Sequence, residues 1–380
     1  MRIAYFNANL RRGQDGVTRV IFKMFEGALA RHHDVMAFTS TLPDPMDQIV
    51  PMQRIPSVVL PLQKNYRIAV PGYQLFAKAL DAFRPELIHI NSPCTLGFGA
   101  MRYAHEFNVP IVATYHTHFP TYPRYYGLSA LEQLTWKISR FLYNRMNRTF
   151  VPTIPILEEL RSHGLERLEH LPNGVDLNLF TPGRRSEAWR QRFNVGDKPV
   201  VIFVSRLVWE KDLAVLGQAY RILRQKRRDF EMVIVGDGHA REEFQKMMPD
   251  AHFLGYQSGS TLAESYASAD IFVFPSTTET FGLVTVEAMA SGLAPVAAEV
   301  GGAAGIIQEG KSGLFAKPFS AESLSCGVDR LISDRQLRHT LAKGALQRSQ
   351  EFAWNKVLAQ LFASYQSVIN EHEREHIKAA

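Results

Sequence analysis

The sequence predicts an α/β protein of two domains, each built on a doubly wound parallel sheet. Three observations carry this. The 380 residues exceed what one typical core organises. Short apolar, β-prone runs alternate with helix-patterned segments, the rhythm of parallel strands joined by crossover helices. Several of those runs end in glycine or polar clusters, where open α/β sheets bind ligands.

Composition narrows the class. A chain 46% hydrophobic and 21% charged is ordinary for a soluble globular protein. Cys94 and Cys326 stand far apart and lack metal-ligand spacing, which argues against a disulfide framework and suits a reducing cytoplasm. No apolar run reaches the ~18 residues of a membrane span. The opening MRIAYFNANL reads as a first strand, too short and polar for a signal peptide. The net charge of +6 is uneven: residues 1–180 carry 19 Lys and Arg against 14 Asp and Glu, the remainder 24 against 23. A basic first half suggests an anionic partner, and with no nucleic-acid motif a membrane surface fits better.

In the first half, Ile3 to Phe6 is a strand and Val20 to Ala30 a helix. Gly13 and Gly16 lie between them. Their Gly-x-x-Gly spacing lacks the dinucleotide fingerprint. They serve either a plain turn or the close approach of a ligand to free helix N–H groups. Val35 to Thr39 is a strand, 42–71 an irregular Pro-rich excursion, Gln74 to Phe83 a helix, and Leu87 to Ile90 a strand. A helix over 96–107 leads to a strand from Pro110 to Tyr115, which ends in His116-Thr117-His118. That pair has no acidic or thiol partner nearby to complete a metal site. It is either a buried structural pair or part of a site.

A Tyr/Pro/Arg loop, 119–126, precedes a helix over Ser129 to Met146 and is a candidate lid. In this helical region Lys137, Arg140, Arg145 and Arg148 interleave with Trp136, Ile138, Phe141, Leu142 and Tyr143. Two readings stand for segment 137–148. It lies in an anionic membrane interface, or it packs its aromatic stripe on the sheet with the bases in water. Phe150 to Thr153 reads as the last strand of the first domain, and polar, turn-rich residues through Gly196 as a hinge.

The second half opens with a strong strand, Pro199 to Val204, then Ser205-Arg206-Leu207-Val208-Trp209-Glu210-Lys211-Asp212 and a helix to Lys226. Met232 to Val235 runs into Gly236-Asp237-Gly238, again short of a dinucleotide fingerprint. A short strand ends at Tyr256, and a helix covers Leu262 to Ser268. Strand Ile271 to Phe274 is stopped by Pro275, and Ser276, Thr277 and Thr278 offer hydroxyls at a helix start. Glu279 falls in the loop and Glu287 on the following helix, which Gly292 ends. The two acids are either ligand contacts or a cap and a surface acid.

The run PSTTETFGLVTVEAMASGLAPVAAEVGG strongly resembles the signature of the family 4 glycosyltransferases. Leu171-Pro172-Asn173-Gly174-Val175-Asp176, Ser-Arg-Leu ahead of Lys211-Asp212, and Phe352-Ala353-Trp354 extend the resemblance over nearly the whole chain. It implies the GT-B fold: two Rossmann-like doubly wound parallel-sheet domains facing across a cleft. The N-terminal, acceptor-side domain would cover 1–175 and the nucleotide-sugar domain 176–355. The last helix, 356–380, would cross back to the first domain, with a frayed charged tail.

The resemblance implies a retaining hexosyltransferase that moves a sugar from a UDP- or GDP-sugar to a hydroxyl, without cofactor or metal. Arg206 and Lys211 would hold the departing diphosphate, to which a planar fork and a point charge are suited. Glu279 would contact donor-sugar hydroxyls and Glu287 the ribose. Phe281, Gly282 and Leu283 would offer N–H groups to the diphosphate. Gly16, Gly13, Gly236 and Tyr256 would line the donor, and His116 would meet the reacting centre. Tyr-His-Thr-His resembles lipid-modifying members, which points to a lipid or polyol acceptor and a cytoplasmic protein at a membrane face. Thr280 stands where many relatives have Gly, and Gly305 where many have an acid. A sugar-nucleotide epimerase of the same fold, or a membrane-surface scaffold with a degenerate site, are the rival readings.

Overall fold

The computed structural model describes residues 1–11, 15–60, 63–70, 72–91, 95–121 and 129–379. Gly13, Cys94 and most of the Tyr/Pro/Arg loop lie outside the described residues. The chain divides into two compact units, one of Met1–Pro172 with Val357–Ala380, the other of Asn173–Lys356.

Unit one holds a seven-stranded sheet in the order β3-β2-β1-β6-β7-β8-β9. The strands are β1 (Arg2–Asn7), β2 (Asp34–Thr39), β3 (Met52–Arg54), β6 (Leu87–Ile90), β7 (Ile111–Thr114), β8 (Arg148–Val151) and β9 (Leu168–His170), all paired in parallel. Apart from exposed Arg2, the central strands are buried and mostly apolar, because crossover helices cover both faces of a parallel sheet. Helix α1 (Gly16–Leu29) starts where Asp15 accepts the Thr18 N–H at 2.8 Å. Helices α2 (Gln74–Phe83), α3 (Thr95–Glu106), α4 (Glu132–Tyr143) and α5 (Ile154–Ser162) complete the crossovers.

Two expectations fail here. The 42–71 excursion is not irregular: β3 joins the sheet, and β4 (Ser57–Leu60) pairs antiparallel with β5 (Gln63–Ala69). The strand at 150 is not the last, because β9 pairs beside it. β9 is three half-exposed residues, Leu-Glu-His, at the sheet edge, and so carries no apolar run to read.

Unit two repeats the plan with six parallel strands in the order β12-β11-β10-β13-β14-β15. They are β10 (Val200–Val204), β11 (Glu231–Val235), β12 (His252–Phe253), β13 (Ile271–Phe274), β14 (Ala294–Ala298) and β15 (Leu314–Ala316). Strands β10 and β13 are parallel neighbours although far apart in sequence, so the order of strand addition reverses between them, the switch point where such sheets bind ligands. The helices are α6 (Glu187–Gln191), α7 (Leu213–Lys226), α8 (Arg241–Met247), α9 (Gly259–Ser268), α10 (Leu283–Ala290), α11 (Gly301–Ile306), α12 (Ala321–Ser333) and α13 (Arg335–Ser349).

The final helix α14 (Trp354–Ala379) stays helical through the charged tail instead of fraying at Glu371. Glu371 accepts from Arg148 at 2.8 Å, which anchors that end. Residues 357–369 complete the core of unit one. Leu358 packs directly on Gly27, where a Cβ would stand 2.7 Å from its methyl carbon. The Tyr365 hydroxyl lies 3.2 Å from that of Tyr5 and meets His89 Nδ1. His89 Nε2 lies 2.8 Å from Thr114 Oγ1. All four side chains are buried.

Burial, and after it the charge of His116, hold His89 well below the ordinary histidine value. Its folded pKa is depressed, so the unfolded chain binds the extra proton and stability is lost as pH falls through about 6.5. In His89→Gln the fall in denaturant-derived stability between pH 7 and 5 should be shallower, by up to ~1.4 kcal/mol per pH unit. Identical slopes for variant and wild type would show that His89 is not buried neutral.

Candidate functional site

At the carboxyl edge of the unit-two sheet, β10 ends at Val204 and the chain enters Ser205 and Arg206. Hydrogen bonds from Ser205 N–H to Val235 C=O (3.1 Å) and Leu207 N–H to Asp237 C=O (2.9 Å) lash this loop to the one after β11. Gly236 makes the close approach possible, with φ +135° and a virtual Cβ only 1.8 Å from Ser205 O. Arg206 is exposed, and among the described residues no ion pair holds its guanidinium. A single helical turn, Trp209–Lys211, then delivers Asp212 in the left-handed region, φ +54°, at the head of α7.

Opposite it, β13 ends at Phe274 and the loop 275–282 runs to α10. The two loops are stitched together. Asp212 Oδ2 accepts from the Thr277 N–H (2.8 Å) and hydroxyl (2.9 Å). Lys211 Nζ donates to Glu279 Oε1 (2.5 Å) and to Thr278 Oγ1 (3.3 Å). The Thr278 hydroxyl donates to Glu210 C=O at 3.1 Å. From the far side, Gly302 N–H donates to Glu279 C=O at 2.7 Å. Burial raises the Asp212 carboxyl above its usual range, against the hydrogen bonds from Thr277 and the charge of Lys211, which lower it.

The hydroxyls of residues 276–278 therefore do not start a helix, as sequence suggested. The helix begins at Leu283, after Gly282 at φ +89°, and Thr277 and Thr278 bind the neighbouring loop. Glu287 sits on α10 and is buried, with the Tyr266 hydroxyl donating to its Oε2 at 3.4 Å. Phe281 is also buried, edge-on to Phe352. Gly236 N–H donates to Gly255 C=O at 2.8 Å, and Tyr256 follows with 63% of its surface exposed. Lys211 and Glu279 are thus in direct contact, Arg206 shares the Lys211 loop, and Glu287 follows Glu279 on the next helix.

In unit one, Gly16 opens α1. His116 follows β7, and its Nε2 lies 3.0 Å from Asn91 Oδ1. Burial of the ring pushes His116 down to about 3. His118 is a different case. It is buried, with Nδ1 2.9 Å from the Tyr115 hydroxyl and Nε2 3.2 Å from Glu159 Oε1, so it fastens the loop to α5. Asn91 and Tyr266 were not singled out from sequence, and Asp212 stood out only as the end of the Lys211 motif. Asp212 and Asn91 were visible as polar residues directly beyond a strand or turn, whereas Tyr266 sits inside a helix with no such signal.

Chemically, unit two offers, on one loop at a switch point, an exposed guanidinium and a lysine already oriented by a carboxylate. Two such cations suit the charge of a diphosphate. Among the described residues no three His, Cys, Asp or Glu side chains are grouped to hold a metal.

Residues 14–179 match the family model "Glycosyltransferase Family 4" and residues 185–348 match "Glycosyl transferases group 1". The chain is 32% identical over 382 residues to a GDP-mannose-dependent alpha-mannosyltransferase of Corynebacterium glutamicum, covering 98% of this chain and 91% of the relative. It is 39% identical over 283 residues to the sulfoquinovosyl transferase SQD2 of Arabidopsis thaliana, covering 72% and 54%. Among solved structures, sucrose-phosphate synthase from Thermosynechococcus elongatus superposes with a TM-score of 0.77 over 98% of this chain and 100% of that one, at 21% identity, and so shares the fold.

Asp212→Ala would leave the Thr277 donors unmet and should lower stability by about 1–3 kcal/mol. Asp212→Asn keeps a carbonyl acceptor and tolerates the left-handed backbone, so its melting temperature should fall between the two. Equal melting of all three would show that the stitch contributes nothing.

Proposed function

The chain belongs to glycosyltransferase family 4, with the GT-B fold, and from that premise we propose that it transfers mannose from GDP-mannose, with retention, to a membrane lipid or polyol hydroxyl. The choice of donor leans on the alpha-mannosyltransferases that match the chain nearly end to end. The observation that carries the site assignment is the 2.5 Å contact between Lys211 and Glu279, which joins the cation-bearing loop to the acid-bearing one.

In the proposed reaction the bond from the anomeric carbon to the diphosphate oxygen breaks. Negative charge develops on that oxygen, and Arg206 and Lys211 stabilise it without a metal. Lys211 is held in advance by Glu279 and Thr278, so little reorganisation of that cation accompanies the charge transfer. The acceptor oxygen attacks on the face the diphosphate leaves, and its proton passes to the departing phosphate oxygen. The products are a glycoside and a nucleoside diphosphate. Glu279 orients the sugar hydroxyls and keeps Lys211 in place; Glu287 takes the ribose. Phe281, Gly282, Leu283, Gly236 and Tyr256 line the donor, and Gly16 and Gly13 are assigned to the loop over it. His116 contacts the reacting sugar as a neutral ring.

The acceptor assignment gains support from α4. It buries Trp136, Ser139, Leu142 and Tyr143. It leaves Leu134, Ile138 and Phe141 exposed, in line with Leu131 just before it at helical spacings of three and four, beside exposed Lys137 and Arg140 and, past its end, Arg145. Such a face suits an anionic lipid surface, and a cytoplasmic protein that docks there reversibly. No described helix is long and apolar enough to cross a membrane.

Purified protein should release GDP from GDP-mannose in the presence of extracted membrane lipid, and much more slowly from UDP-sugars. Isomerisation of the donor with no acceptor present would instead make it an epimerase. Glu279→Ala and Arg206→Glu should each raise the barrier by about 2–4 kcal/mol, read as kcat in single-turnover assays. Near-normal rates would remove those residues from the site. For the membrane, sedimentation with vesicles rich in anionic phospholipid should exceed that with neutral vesicles. Ile138→Glu with Phe141→Glu should abolish the excess, and equal sedimentation of variant and wild type would refute the docking face.

A further inference from the structure

Three consecutive sheet strands of unit one, β1, β6 and β7, end in polar side chains that form one chain of hydrogen bonds. Asn7 is the last residue of β1 and Asn91 the first beyond β6; both are 1% exposed. Asn91 N–H donates to Phe6 C=O at 2.9 Å, which continues the ladder and fixes where its side chain stands. Asn91 Nδ2 donates to Asn7 Oδ1 at 2.9 Å, and Asn91 Oδ1 faces His116 Nε2 at 3.0 Å. The β1–β6 boundary is the switch point of this sheet, so the chain of contacts crosses the place where such sheets meet ligands.

An amide has a donor end and an acceptor end, so this chain has a polarity. With Asn91 giving its N–H to Asn7, its carbonyl is left for His116, and only an imidazole protonated at Nε2 completes the bond. Turning both amides over would demand the other tautomer. The remaining Asn7 Nδ2 is buried and has no partner among the described residues, an arrangement native proteins seldom keep without a reason.

We propose that Asn91, itself oriented by Asn7, is a positioning residue that fixes His116 as the neutral Nε2–H tautomer and sets its ring orientation for sugar transfer. The inference rests on the assignment of His116 to the reacting centre. It adds that the ring acts as a neutral group and not as a charged acid. The depressed pKa of His116 agrees with a ring that stays uncharged. A purely structural asparagine pair would leave the tautomer and the turnover number indifferent to Asn91.

Two measurements test it. The first uses wild-type protein: ¹⁵N–¹H correlation spectra of the histidine rings, with His116 assigned from the His116→Gln spectrum. The Nε2–H pattern is expected, and the Nδ1–H pattern or a charged ring at neutral pH would overturn the proposal. The second is a double-mutant cycle in kcat and donor KM with Asn91→Leu and His116→Ala. A misdirected ring should reduce kcat on the order of 10- to 100-fold with KM little changed. In the His116→Ala background Asn91→Leu should then add nothing. If His116→Ala is crippled while Asn91→Leu turns over normally, or if the two losses multiply, the relay is refuted alone. If His116→Ala itself turns over normally, the assignment of His116 falls, and this inference with it.

Discussion

The candidate site in unit two depends on one constraint: the loop after β10 and the loop after β13 must stay together at the carboxyl edge of the sheet. Strand pairing brings their roots side by side, Val201 opposite Ile271 and Ile202 opposite Phe272. It does not control the residues beyond the strands. That control comes from Asp212, whose single carboxylate oxygen accepts both Thr277 donors, and from Lys211, whose ammonium meets Glu279 and Thr278. The Lys211 side chain is 13% exposed and that of Glu279 24%, so neither is a free surface charge. Each side chain is costly to hold there without the other. The pairing thus pre-aims a cation and holds a carboxylate against it.

Glycine makes the same edge compact from the other direction. Gly236 and Gly302 sit where a Cβ would strike backbone, at Ser205 O and Phe281 O. Each lets a neighbouring loop press onto one that carries a charged residue. The backbone around Arg206, Lys211 and Glu279 is therefore held on both sides, by hydrogen bonds across the switch point and by bare backbone contact behind it.

Much of this was readable in the residues. Apolar strands such as VVIFV and IFVF signal burial on both faces, and Arg206, Lys211, Glu279 and Glu287 stand out because their motif does. What escaped reading did so for definite reasons. β9 is an edge strand with no apolar run. The Pro-rich stretch before residue 71 hides three short strands, one added at the sheet edge beside β2 and two paired with each other. Thr277 and Thr278 look like cap hydroxyls, and only the fold brings Asp212 and Glu210 within their reach. The charged C-terminal tail looks frayed, yet Arg148, over two hundred residues earlier, holds it. Asn7 and Asn91 were visible as polar residues at strand ends, but a hydrogen bond between strands 84 residues apart has no local signature.

The last helix gives the chain a particular order of birth. Tyr365 reaches Tyr5 and His89, and Leu358 covers Gly27, so the first unit is unfinished until residues 358–365 have left the ribosome. Everything from Asn173 to Lys356 is made first, and at 5–20 residues per second that interval is roughly 10–40 s. Through it the nascent first unit shows water a bare groove over His89 and Tyr5 while the second unit condenses downstream. A nascent chain in that state is a natural client for a chaperone, and its vulnerable surface is the one the C-terminus will later close.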